Sequence, residues 1–162
     1  MNTAVVYYSL EGNTRYAAEK IAGELGADLI RLVPEKDYPT GKLSKYFRAG
    51  KGATFGEAPK LEAYRFDPDK YGLVILGTPV WAGTLAPPLR TFLRENKLTG
   101  KGVALFACCS GGSTEKCFLQ LEKSIGAYTR LSMLRLVDPL RNKAAADESI
   151  SAFCAELKAL PS

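Results

Sequence analysis

The sequence predicts an α/β fold in which a parallel sheet carries helices on both faces. Three observations lead there. Short apolar runs alternate with amphipathic stretches along the chain, the pattern of successive βα units. The runs Leu73–Leu76 and Val103–Cys108 are apolar at every position, as strands covered on both faces must be. Three segments following strand signals, Ser9–Thr14, Thr78–Thr84 and Cys109–Ser113, are rich in glycine and hydroxyls. In such sheets those segments leave the carboxyl ends of the strands, where ligands bind.

The elements follow in order. Val5–Tyr8 reads as the first strand. Thr14–Leu25 reads as a helix, with Ala17, Ala18, Ile21, Ala22 and Leu25 at helical spacing and Gly26 at the C-terminal cap. Asp28–Val33 is the second strand, stopped by Pro34, and Leu73–Leu76 the third. Leu85–Leu93 is a helix that tolerates Pro87 and Pro88 in its first turn. After the strand Val103–Cys108, Thr114–Ile125 is a helix capped by Ser113 or Thr114. Leu131–Val137 is the fifth strand, and Asp147–Leu160 the last helix, with Ile150, Phe153, Cys154, Leu157 and Leu160 on one face.

Composition narrows the function. The 162 residues suit a single domain, and 46% hydrophobic with 24% charged content describes an ordered globular chain. No apolar run has the length of a membrane span. A basic region leading into a long apolar segment is absent from the N-terminus, so no secretory signal is expected and a cytoplasmic location is. Cys108, Cys109, Cys117 and Cys154 form no C-x-x-C pair, and the chain has no histidine. That removes a mixed Cys/His zinc site, the Ser-His-Asp and Cys-His nucleophiles, and the usual base near neutral pH. Four reduced thiols are expected, with chemistry borrowed from a cofactor.

The segment Glu35–Phe66 is too long for an ordinary connection. It interleaves Lys36, Lys42, Lys45, Arg48, Lys51, Lys60 and Arg65 with Tyr38, Tyr46, Phe47, Phe55, Tyr64 and Phe66. Such a mixture suits single-stranded nucleic acid, or a helix and loop laid on the sheet with aromatics inward. The second reading is preferred, and neither nucleic acid nor membrane is expected as a partner.

The phosphate motifs of other folds fail here. Gly100-Lys101-Gly102 precedes a strand and lacks the rest of a Walker loop, and no G-x-G-x-x-G follows the first strand. Where a phosphoacceptor receiver domain would need an acidic pair, the chain has Tyr8-Ser9. What remains is a small mononucleotide. Ser9 and Thr14 offer hydroxyls, Asn13 an amide, and Gly12 a tight turn, all at a helix N-terminus whose N–H groups attract an anion. Leu10 and Glu11 contribute backbone, with the Glu11 carboxylate turned to water.

Val5 to Thr14, followed by Ala18 and Ile21, resembles the signature of the flavodoxin family, with every signature position filled. Gly77-Thr78-Pro79-Val80-Trp81-Ala82-Gly83 resembles that family's second flavin loop, and Cys109-Ser110-Gly111-Gly112 stands where its third belongs. The resemblance covers essentially the whole chain. It implies a flavodoxin-like, doubly wound, five-stranded parallel sheet of order 2-1-3-4-5, as one domain over residues 1–162. It implies FMN held without a covalent link: the phosphate at Ser9, Leu10, Glu11, Gly12, Asn13 and Thr14, and the ring between Thr78, Pro79, Val80, Trp81, Ala82 and Gly83 on one side and Cys109, Ser110, Gly111 and Gly112 on the other. Trp81 is the sole tryptophan, and a planar amphipathic ring suits an aromatic wall; its plainer role is to cover the sheet end.

Three departures from the family pattern matter. The residue after the tryptophan is Ala82, where the family often has a glycine whose peptide turns toward the semiquinone, and alanine penalises positive φ. The third loop lacks the family's covering tyrosine, which leaves that ring face open or covered from the long connection. The chain is basic, at +5, where well-known flavodoxins are acidic, so acidic redox partners, ferredoxin-like proteins or a reductase, are expected. The leading expectation is an electron carrier with no catalytic side chain and no metal. An FMN-dependent NAD(P)H–quinone or nitroaromatic reductase is the alternative, and a ligand-free interaction module ranks last.

Overall fold

The computed structural model describes residues 1–38 and 58–161. Its elements are β1 (Thr3–Tyr7), α1 (Asn13–Leu25), β2 (Asp28–Arg31), a 3-10 turn (Pro68–Lys70), β3 (Leu73–Trp81), β4 (Thr84–Leu85), α2 (Pro87–Glu95), β5 (Gly102–Cys109), α3 (Glu115–Ile125), β6 (Thr129–Val137) and α4 (Lys143–Lys158). The sheet runs β2-β1-β3-β5-β6, with β4 paired to β3 off that path. The five long strands are mutually parallel. Numbered without β4, this is the expected order. Among the described residues no helix is long and apolar enough to cross a membrane.

Alternation along the strands sends successive side chains to two cores. Ala4, Val6, Val74, Leu76, Val103 and Leu105 face α2 and α3, meeting Leu89, Phe92, Cys117, Phe118 and Leu121. Val5, Tyr7, Ile75, Ala104 and Phe106 face α1 and α4, meeting Ala17, Ala18, Ile21, Ile150, Phe153 and Cys154. The Tyr16 hydroxyl of α1 donates to Asp147 Oδ1 of α4 at 2.6 Å, tying those two helices above their core.

Element boundaries differ from the sequence reading where tertiary pairing overrides local pattern. β3 continues five residues past Leu76, because Val80 and Trp81 pair antiparallel with Leu85 and Thr84. The Thr78–Thr84 segment is therefore mostly a β-hairpin rather than a loop. Leu85 belongs to β4, and α2 starts at Pro87, with prolines in its first two positions. α4 starts at Lys143 instead of Asp147, since Ala144, Ala145 and Ala146 are strong helix formers and Ala146 opens the buried face. Leu160 lies beyond the helix end, yet still packs on the core.

The long connection closes on itself at its base. Glu35 N–H donates to Lys60 O at 2.9 Å and Glu62 N–H to Val33 O at 2.7 Å. Tyr64 and Phe66 pack against Phe92, and Phe66 stacks on Tyr71, so these aromatics do point inward. Lys42, Lys45, Arg48, Lys51, Tyr46, Phe47 and Phe55 lie outside the described residues.

Gly77 of β3 is paired with Phe106 of β5. A Cβ built on Gly77 would land in the Phe106 ring, and that ring is fully buried and has nowhere to go. Gly77→Ala is expected to destabilise the protein by about 1–3 kcal/mol, the usual range for overpacking. A lower urea midpoint at unchanged slope would bear this out; an unchanged midpoint would contradict it.

Candidate functional site

The carboxyl edge of β1, β3, β5 and β6 gathers the singled-out segments. The first is built as an anion cradle. Gly12 sits at φ 103 as the N-cap of α1, a conformation open to glycine. Its N–H donates to Ser9 Oγ at 3.1 Å, and its carbonyl accepts from Tyr16 N–H at 2.9 Å. The preceding N–H groups of the helix have no partner within it. No acidic residue stands in the first turn to repel an anion. Leu10 packs on the core and Glu11 is exposed. Asn13 Oδ1 accepts from Leu140 N–H at 3.1 Å, so its oxygen braces the loop while its amino group remains a donor.

Thr14 carries the telling atom. It is 1% exposed, and its Oγ1 has no nitrogen or oxygen partner among the described residues. The Cys108 thiol lies beside it, a weak partner. A buried hydroxyl left unsatisfied costs about 1–3 kcal/mol. It stands in the first turn of α1, among neutral donors, which is the donor set that a phosphate monoester satisfies.

The second segment ends in a two-residue turn, Ala82 at φ 49 and Gly83 at φ 76, between Trp81 and Thr84. Both central residues are left-handed, as a type I′ hairpin requires. Alanine thus occupies the region that the sequence reading marked as costly for it, held there by the β3–β4 pairing. Thr78 is fully buried; its Oγ1 donates to Pro79 O at 2.8 Å and accepts from Ala86 N–H at 2.9 Å. Its hydroxyl fastens the hairpin to the start of α2. Pro79 and Val80 are half-buried on the way out.

Trp81 is half-buried and meets two tyrosines edge-on: Tyr38 at 5.0 Å between centroids and Tyr8 at 5.5 Å. The Tyr8 hydroxyl donates to Asp37 Oδ1 at 3.0 Å, and Tyr38 N–H to the same oxygen at 2.8 Å. Burial, then the Asp37 carboxylate, pushes the Tyr8 hydroxyl well above the usual phenol range, so it stays protonated. Among the described residues, Tyr38 is the aromatic that the long connection brings to this edge.

In the third segment Ser110, Gly111 and Gly112 are exposed, and Gly111 is at φ 120. The Gly112 carbonyl accepts from the Cys109 thiol at 3.6 Å and from Arg135 Nη2 at 2.9 Å. Ser113 Oγ accepts from Glu115 N–H, so Ser113 supplies the side-chain cap while Thr114 is the cap residue in the backbone.

Sequence reasoning missed a fourth segment, residues 138–142. Asp138, at φ 39, donates its N–H to Cys109 O at 2.9 Å, and Leu140 reaches the Gly12–Asn13 turn. It holds no glycine, and glycine was the signal sought; Pro139 and Asn142 after a strand were the available cue. Arg135 was missed because an alternating strand gives no hint which loop its outward cation grips.

All four cysteines are free and buried. Burial pushes the Cys108 and Cys117 thiols up to about 12 and Cys154 up to about 11. Among the described residues no group of three His, Cys, Asp or Glu side chains could hold a metal.

With this geometry in hand, comparisons with known proteins are informative. The family model described as Flavodoxin matches residues 2–138. A flavoprotein of Lactobacillus acidophilus NCFM, solved in complex with FMN, aligns with TM-score 0.74 at 24% identity, over 88% of this chain and 97% of that one. Two-electron reduced flavodoxin of Megasphaera elsdenii aligns with TM-score 0.60 at 16% identity, over 94% and 98%. At these identities the likeness to the solved structures is one of fold.

Two expectations follow from the site. Replacing Ala82 by glycine relieves a left-handed alanine and should raise stability by about 0.5–1 kcal/mol, read from the urea midpoint; a lower midpoint would contradict the turn. Cys117 rises from an ordinary 9.0 to about 12 through burial, so its contribution is intact below pH 9 and is withdrawn as pH climbs toward 12. Stability measured against pH should decline across that window, and Cys117→Ala should make the decline shallower.

Proposed function

The chain belongs to the flavodoxin family, and on that premise we propose that it is an electron carrier working through a non-covalently bound FMN. The observation that carries the reading is the buried, unsatisfied Thr14 hydroxyl in the first turn of α1, beside the Gly12 turn. Thr14, the Asn13 amino group and the first N–H groups of α1 would hold the phosphate. Ser9 braces the turn by accepting from Gly12 N–H. Trp81 and the Ala82–Gly83 turn would flank the ring on one side, and Ser110, Gly111 and Gly112 on the other. FMN supplies the redox chemistry when bound.

The protein's own part is to grip, orient and shield. Tyr8 and Tyr38 hold the Trp81 indole in two T-shaped contacts, which fix its plane. Arg135 holds the third loop by its carbonyl and places a cation at that edge, where it would favour negative charge on a bound ring. The Tyr8 hydroxyl and the Cys108 thiol both stay protonated at neutral pH, so neither serves as a general base. A carrier needs none. The free thiols accord with a reducing compartment, the cytoplasm. One observation favours the alternative, an NAD(P)H–quinone or nitroaromatic reductase: the third loop is exposed and leaves room for a second substrate.

The test is a titration of flavin-free protein with FMN, following tryptophan and flavin fluorescence together. Mutual quenching that saturates at equimolar FMN is expected, with Trp81 as the sole tryptophan source. Thr14→Val should weaken FMN about 10- to 100-fold, the loss of one hydrogen bond to a charged group, and leave riboflavin unchanged. No quenching, or equal losses for both flavins, would sink the assignment. Sustained NAD(P)H oxidation with a quinone would move it to the reductase.

A further inference from the structure

Beside the Ala82–Gly83 turn, the outer surface of α2 and α3 carries an excess of cations unpaired among the described residues. On α3, Lys116, Leu119, Gln120 and Lys123 follow at spacings of three, four and seven, and so share one outward stripe. Glu115 and Glu122, four before and three after Leu119, border that leucine on its other side. Glu122 Oε1 accepts from the Tyr128 hydroxyl at 2.8 Å and from Arg130 Nη1 at 2.9 Å, so its charge is spent toward β6. On α2, Arg90 and Arg94 stand one turn apart, and Arg90 Nη2 donates to Gln120 Oε1 at 3.2 Å, joining the two helix faces. Glu95 turns away to accept from the Tyr64 hydroxyl at 2.6 Å.

The result is an apolar centre, Leu119, in a rim where the cations Lys116, Lys123 and Arg94 outnumber the one carboxylate not turned elsewhere, Glu115. Lys116, Lys123 and Arg94 make no ion pair among the described residues. Leu119 is 54% exposed, more than any other large apolar side chain within a described helix or strand. The patch also adjoins the candidate site: a Cβ on Gly83 would lie 3.9 Å from Lys116 Cδ. An apolar centre with a charged rim is the anatomy of a protein interface, and the sign of the rim selects the partner. Single-stranded nucleic acid would call for stacking aromatics, and this stripe has none.

Resting on the carrier reading, we propose that Lys116, Leu119 and Lys123 of α3, with Arg94 of α2, form the docking face for an acidic redox protein, placing it against the Ala82–Gly83 turn. The cations steer the encounter, and Leu119 supplies the contact that water must leave.

The experiment titrates isotope-labelled, FMN-loaded full chain with an acidic [2Fe–2S] ferredoxin as the probe, and with basic cytochrome c as the control. Resonances of Ala82, Lys116, Leu119 and Lys123 should shift with ferredoxin and stay put with cytochrome c. Binding should weaken about tenfold as salt rises from about 0.02 to about 0.2 M. The double variant Lys116→Glu, Lys123→Glu should bind ferredoxin about tenfold more weakly or worse, with its FMN affinity and melting temperature unchanged. Shifts centred elsewhere, undiminished binding by the variant, equal binding of cytochrome c, or tighter binding of an RNA oligomer would each overturn the proposal. Loss of FMN binding by the unaltered chain would instead sink the carrier reading, whereas failed docking with intact FMN binding sinks the docking face alone.

Discussion

The contact on which the rest depends is the Phe106 ring lying over Gly77. These residues are partners across the two central strands, and the glycine lets the ring settle against β3 with no side chain between. One residue beyond Gly77, Thr78 fastens the hairpin to α2; three residues beyond Phe106, Cys109 opens the third loop. Both flanks of the proposed ring site therefore hang from one close approach. A shift of β3 against β5 would move Trp81 and Gly112 relative to each other, and the interior resists such a shift because it is close-packed.

How much of this was legible in the sequence varied with the kind of signal. Periodicity placed α1, α3 and the parallel strands, because burial dictates their apolar positions directly. The Gly12 turn at the start of α1 was legible too, since glycine and hydroxyls at a strand–helix junction have a local meaning. The β3–β4 hairpin was not: its turn is Ala82-Gly83, and alanine does not announce a left-handed residue. Pairing of Trp81 with Thr84 imposes that conformation from outside. That the Thr78 hydroxyl fastens the hairpin was not legible either, because a hydroxyl's partners are set by what lands beside it. Arg135 and residues 138–142 join the site through backbone carbonyls and N–H groups that leave no mark on side-chain composition.

The long connection shows the same division. Its length and its aromatics marked it as more than a linker, and Tyr64 and Phe66 pack as a buried face should. Its function at this edge falls to Tyr38, one residue past the carboxylate that accepts from both the Tyr8 hydroxyl and Tyr38's own N–H. Backbone bonds between residues 33–35 and 60–62 pinch the segment shut and hold its two ends side by side.

The burial of the thiols bears on how long such a protein lasts. A reduced flavin in air makes peroxide, and peroxide attacks thiolates rather than thiols. Cys108 lies directly beneath the phosphate loop, and Cys117 faces the core from α3; both are walled in and held protonated. The oxidant formed closest to these sulfurs finds them in their unreactive state.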